Sequence, residues 1–186
     1  MQWKKQFVFL GTAILMFSQA SILFAQDLAK KDQSRSNIEE FSSQSGALVE
    51  KEFIDIGEFK KCKVKVAKFT DLITNSSTKG VRFELEVKGK YSVDSKIGFL
   101  DNDEVEALQT SITILIEKVV STVPSNYKEV AYTSRSGFQA GCYWSDNKWK
   151  GFLKIEKYDK DSYVWFSPND LAMLSEIIGQ ARSQLN

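Results

Sequence analysis

Residues 81–119 read VRFELEVKGKYSVDSKIGFLDNDEVEALQTSITILIEKV, and a change of hydrophobic period inside this stretch decides the fold. Val81, Phe83, Leu85 and Val87 alternate with Arg82, Glu84, Glu86 and Lys88, the period-two signature of a half-buried strand. Ile97 and Phe99 carry the same reading onward. After Asp101 the period changes: Val105, Leu108, Ile112, Leu115, Ile116 and Val119 recur at helical spacing. Asp101 with Glu104 three residues on has the form of a capping box, and the helix is expected to run to about Ser121, before Pro124.

Upstream, Cys62, Val64 and Val66 alternate with Lys61, Lys63 and Lys65, and the folded domain is expected to start near Phe53. Downstream the plan recurs. Strands are predicted near 128–134, 138–144, 149–158 and 162–166, with Asp146-Asn147 as hairpin-turn residues. Ser167-Pro168-Asn169-Asp170 then opens a second helix, with Leu171, Leu174, Ile177, Ile178, Ala181 and Leu185 on its apolar face. A shift of 68 pairs Val81, Leu85 and Val87 with Trp149, Leu153 and Ile155. A shift of 67 pairs Ile97 and Phe99 with Val164 and Phe166, and one of 66 pairs Val105, Leu108 and Ile112 with Leu171, Leu174 and Ile178. The expected class is therefore α+β: two β-β-β-β-α repeats, antiparallel sheets packed with two helices, spanning about 51–123 and 124–186.

Two such units resemble the fold of the Whirly single-stranded DNA-binding proteins and of the transcriptional coactivators that assemble one unit per chain into a dimer. The likeness covers 60–186 as a pattern. It is carried best by Trp149-Lys150-Gly151-Phe152-Leu153-Lys154-Ile155, Ser162-Tyr163-Val164-Trp165-Phe166 and the Ser167-Pro168-Asn169-Asp170 helix start. The resemblance implies a strand surface that binds single-stranded nucleic acid through aromatic and basic residues.

The ends and the composition set further bounds. Lys4 and Lys5, the apolar run Phe7–Phe17 and a small-residue region to Ala20 or Ala25 read as a secretory signal, with cleavage expected after Ala25 and an extracytoplasmic, periplasmic or secreted, product. Losing Lys4 and Lys5 lowers the basic count from 25 to 23 against 24 acids, a net charge of −1, which is no magnet for polyanions. Residues 26–50 are polar and read as a linker or loosely docked arm. The chain has no histidine, so the usual general base and metal ligand are missing, and no cofactor or metal motif replaces them. Cys62 and Cys142 leave two readings open, a disulfide or two buried thiols.

One face of the second half carries Tyr143, Lys150, Phe152, Lys154, Tyr163 and Trp165, aromatic rings beside lysines that suit stacking on bases or sugars. Alternation sets Trp165 opposite to Val164 and Phe166, where the first half is expected to have only Gly98. Arg135 could hold a carboxylate or phosphate bidentately. The acidic run 101–104 lacks calcium-loop spacing and reads as helix capping. The lysines at 60, 61, 63, 65 and 68 read as a solvated strand face. The expectation is an exported non-catalytic binding or scaffolding domain of unknown ligand, a protein partner being one candidate. Oligonucleotide or another polyanion is the alternative ligand, and a carboxylate-only enzyme is a third reading.

Overall fold

A computed structural model describes residues 35–89 and 92–185, so the signal sequence read above lies outside the described residues. Helix α1 (Asn37–Ser42) leads into β1 (Val49–Phe59), β2 (Cys62–Asp71), β3 (Ser77–Lys88) and β4 (Val93–Asp101). Helix α2 (Asn102–Ile114) follows and ends in a wider π turn, Leu115–Val119, closed by the Val120 N–H donating to the Leu115 carbonyl. The second half is β5 (Lys128–Thr133), β6 (Gln139–Ser145), β7 (Lys148–Lys154), β8 (Tyr163–Phe166), a 3-10 turn at Pro168–Asp170 and α3 (Leu171–Ser183). Each half is a four-stranded antiparallel meander in chain order, followed by its helix. The α+β class and the two similar β4 units are as the sequence pattern predicted.

Local chemistry places the ends. Asp146 and Asn147 both take positive φ, 55° and 58°, the mirror-image turn that suits the twist of a two-residue hairpin. Glu104 reaches back to accept the Asp101 N–H at 3.0 Å, and Asp170 accepts the Ser167 N–H at 2.9 Å, so both helices after the meanders start with an acid holding the cap residue. One core serves both halves. The inner sheet faces (Val64, Val66, Phe83 and Leu100 from one; Ala140, Cys142, Leu153 and Val164 from the other) close around Leu108, Ile112, Leu174 and Ile178. Phe83 meets Phe138 at 4.5 Å and Phe59 meets Phe166 at 5.1 Å across the halves.

Two expectations are corrected, and of the two open cysteine readings one is found. Phe99 does not face the core. It packs with Phe69 under α1, while Leu100 is fully buried in the shared core. Counting back from the caps Asp101 and Ser167, Leu100 corresponds to Phe166, Phe99 to Trp165 and Gly98 to Val164, so the offset of 66 holds through the last strand. Since Val81 pairs with Leu100 and Gly151 with Phe166, the third strands correspond at an offset of 70, not 68. One residue of register reverses every side chain, and Ile97-Gly98-Phe99-Leu100 has apolar residues on both alternations.

Cys62 and Cys142 are both free and buried, on the inner faces of different sheets; burial pushes their thiols up to about 12 and about 11. Second, the described part of the segment read as a loose arm, from residue 35 on, carries a docked helix. Ser36 caps α1 with a full capping box to Glu39, and Ile38 is completely buried against Ala67 and Phe69. Gly80 makes room for it: a Cβ there would lie 3.4 Å from the Ile38 side chain and 2.7 Å from the Leu100 carbonyl.

Candidate functional site

Strand register assembles the six residues singled out from sequence on the outer face of the second sheet. Trp165 on β8 stands opposite Phe152 on β7, Tyr163 opposite Lys154, and Lys150 opposite Tyr143 on β6. Tyr163 and Trp165, two apart on one strand, stack at 4.8 Å with rings 3° from parallel. Tyr143 meets Trp165 edge-on at 6.0 Å, and Phe152 lies 6.0–6.3 Å from the other three rings. Phe152 is only 4% exposed, the floor of the cluster, whereas Trp165 is 58% exposed. Trp165 therefore points outward as alternation required, but its counterpart in the first half is Phe99 rather than Gly98.

The charges on this face are nearly balanced. Lys154 Nζ sits 5.4 Å over the Tyr163 ring and Lys150 Nζ 5.7 Å over Tyr143. Lys150 is also paired with Asp146, which raises the lysine pKa and lowers that of the acid through their hydrogen bond. Tyr127, missed by the sequence reading, extends the rim: its ring is 6.4 Å from Tyr143 and its hydroxyl donates to Glu129 at 2.6 Å, which pushes the phenol pKa up. The available signal was its position two residues before Glu129, on the same alternation. Cys142 sits on this sheet but faces the core. The arrangement offers flat apolar surface for stacking, with few uncommitted charges.

The same face of the first sheet is built alike and is covered in part, over Phe69 and Phe99 but not over Phe53. Phe53, Phe69 and Phe99 lie there, with Arg82 5.0 Å over Phe53 and Lys51 5.0 Å over Phe69. Helix α1 lies on it through Ile38 and Phe41. Asp101 holds the helix down by accepting the N–H groups of Asn37 (2.7 Å) and Ile38 (3.1 Å), two donors that a helix N-terminus leaves unsatisfied. Arg135 reaches across from the turn between β5 and β6. It binds Asp103 bidentately (2.7 and 2.8 Å) and Asp101 at 2.6 Å, and its own N–H donates to Glu104 at 2.7 Å. The bidentate capacity read from sequence is thus used inside the fold, and it draws the Asp103 carboxyl below its ordinary range.

The lysine-rich strand is also committed in part: Lys60 pairs with Asp170, Lys63 with Glu86 and Lys65 with Asp55. No helix among the described residues is long and apolar enough to cross a membrane. No family model matches the chain, and no curated protein or solved structure matches it.

Proposed function

We propose that this chain is an exported, non-catalytic binding domain that engages its ligand through the outer face of the second sheet. The observation that carries the reading is an asymmetry inside the repeat. Two equivalent faces both carry aromatic clusters: α1 lies over Phe69 and Phe99 of one, leaving Phe53 42% exposed at its edge, while on the other no described element covers Trp165, 58% exposed at the top of stacked rings. An exposed Trp on a rigid aromatic floor is the kind of group that dominates binding energy where it is buried by a partner.

The test compares Trp165→Ala and Tyr143→Ala with the parent chain on one panel of immobilised peptides, oligosaccharides and single-stranded oligonucleotides. Both variants should lose binding by about tenfold or more for the probe the parent retains, as truncating an anchor residue does. Binding unchanged in both would overturn the reading. A second reading, a polyanion as ligand, is favoured by the two lysine ammonium groups poised over the rings. It requires affinity that falls steeply with salt; a flat salt titration removes it.

A further inference from the structure

The same repeat exposes a second asymmetry, in backbone rather than side chains, and it does not depend on what the aromatic face binds. β4 and β8 are the last strands of their sheets. The Ile155 N–H donates to the Ser162 carbonyl at 3.0 Å, so the hydrogen-bonded pairs along β7–β8 are 155 with 162, 153 with 164 and 151 with 166. The N–H and C=O groups of Tyr163 and Trp165 therefore point away from β7, to the free edge. Their counterparts on β4 are Ile97 and Phe99.

On the β4 side two of those four groups are satisfied by the other half of the fold. The Ile97 N–H donates to Glu156 at 3.0 Å and the Phe99 carbonyl accepts from the Ser136 hydroxyl at 3.3 Å. Lys96 pairs with Asp159 at 2.7 Å beside them. Gly98 permits this closure, since a Cβ there would stand 2.9 Å from the Ile155 carbonyl oxygen.

On the β8 side no equivalent closure is made among the described residues. Val164 stands at the place of Gly98 and brings the Cβ that the closed junction has no room for. Glu86, the counterpart of Glu156, is turned to Lys63 at 2.6 Å instead of to a strand N–H. Where the first junction is shut, a groove of about 580 Å³ runs beside Tyr163, lined by Lys61, Lys63, Leu85, Glu86 and Lys88 among others.

We propose that this edge and groove receive an extended segment of a partner polypeptide, which adds to the sheet by pairing with the backbone of Tyr163 and Trp165. The closed junction shows what the open one lacks: an acceptor for the Tyr163 N–H and a donor for the Trp165 carbonyl, both of which an extended main chain supplies. A second copy of β8 would arrive with its whole sheet, whereas a groove walled by the first half suits a single strand, which lies only about 4.8 Å from its neighbour. The lining has three lysines and three acids (Glu58, Glu86 and Asp161), so recognition rests on backbone pairing rather than on net charge.

The test uses the full chain and a random-peptide phage library. Peptides selected on the parent protein should slow hydrogen exchange of the Tyr163 and Trp165 amides, read by NMR, by about tenfold or more. Trp165→Pro should then lose about tenfold more peptide affinity than Trp165→Ala, because both lack the ring and only proline lacks the N–H; proline is tolerated on an edge strand where that N–H faces solvent. In the complex the Tyr143 ring signals, on the aromatic face two strands away, should stay at their free-protein positions, which separates pairing at this edge from docking on the aromatic surface. The proposal is overturned if no peptide is selected, or if the bound peptides leave both amides unprotected.

Discussion

Phe99 and Trp165 occupy equivalent places, and their fates differ only because α1 lies over one of them. Removing each ring, or the core residue beside it, therefore separates surface from core. Trp165→Ala should change stability by no more than about 1 kcal/mol, the range for an exposed side chain with one stacked neighbour. Leu100→Ala, one residue past Phe99 and fully buried, should cost about 2–5 kcal/mol. Denaturant midpoints of the two variants check both the exposure and the corrected register; the reverse order would restore Phe99 to the core. Asp103 gives a pH-dependent case. Arg135 holds its folded pKa below the unfolded value near 3.9, so its contribution is present above that pH and is lost as pH falls through the lower folded value. Asp103→Asn should thus be less stable than the parent at pH 7, by at most about 1 kcal/mol for so exposed a carboxylate, and the gap should close in acid. A gap that persisted at pH 2 would show that charge is not its cause.

At the scale of elements, Gly98 and α1 are the two features that make the halves unlike. Gly98→Val would install the counterpart residue in the closed junction, 2.9 Å from a backbone oxygen that cannot yield cheaply. A loss of about 1–3 kcal/mol is expected, as for other overpacked sites, and thermal unfolding measures it; no loss would mean the junction is not closed as described. The strands and both long helices were legible because alternation and caps are local: Asp101–Glu104, Asp146-Asn147 and Ser167–Asp170 each announce their structure within four residues. The six surface residues were legible for the same reason, since alternation alone puts Tyr143, Lys150, Phe152, Lys154, Tyr163 and Trp165 on one side. The phase of β4 was not, because Ile97, Phe99 and Leu100 offer apolar groups to both faces and only pairing with β3 chooses. Helix α1 was missed because six residues with a single buried Ile38 make no periodic signal. What fixes them is remote, the Gly80 gap and the Asp101 carboxylate 63 residues away.

The two repeats of the described residues share one main core, and this couples their unfolding. Phe83 of the first sheet lies against Phe138, and Phe59 against Phe166, while α2 and α3 are joined by Gln109 to Ser175 and Glu106 to Arg182, each at 2.7 Å. Neither sheet can lose its inner face without exposing the other's, so the halves should melt together rather than as two domains. The chain's tryptophans make this easy to read. Trp144, Trp149 and Trp165 are all in the second half, and the fourth, Trp3, lies in the segment read as a cleaved signal. In a chain truncated to residues 26–186, tryptophan emission reports on the second half alone, whereas far-ultraviolet dichroism reports on both. The two transitions should coincide in denaturant. The sharper form of the test uses Leu100→Ala, which lies wholly in the first half: it should move the tryptophan transition by the same amount as the dichroism transition. A tryptophan midpoint left where it was would show that the second half stands without the first, and that the shared core does not couple the two repeats.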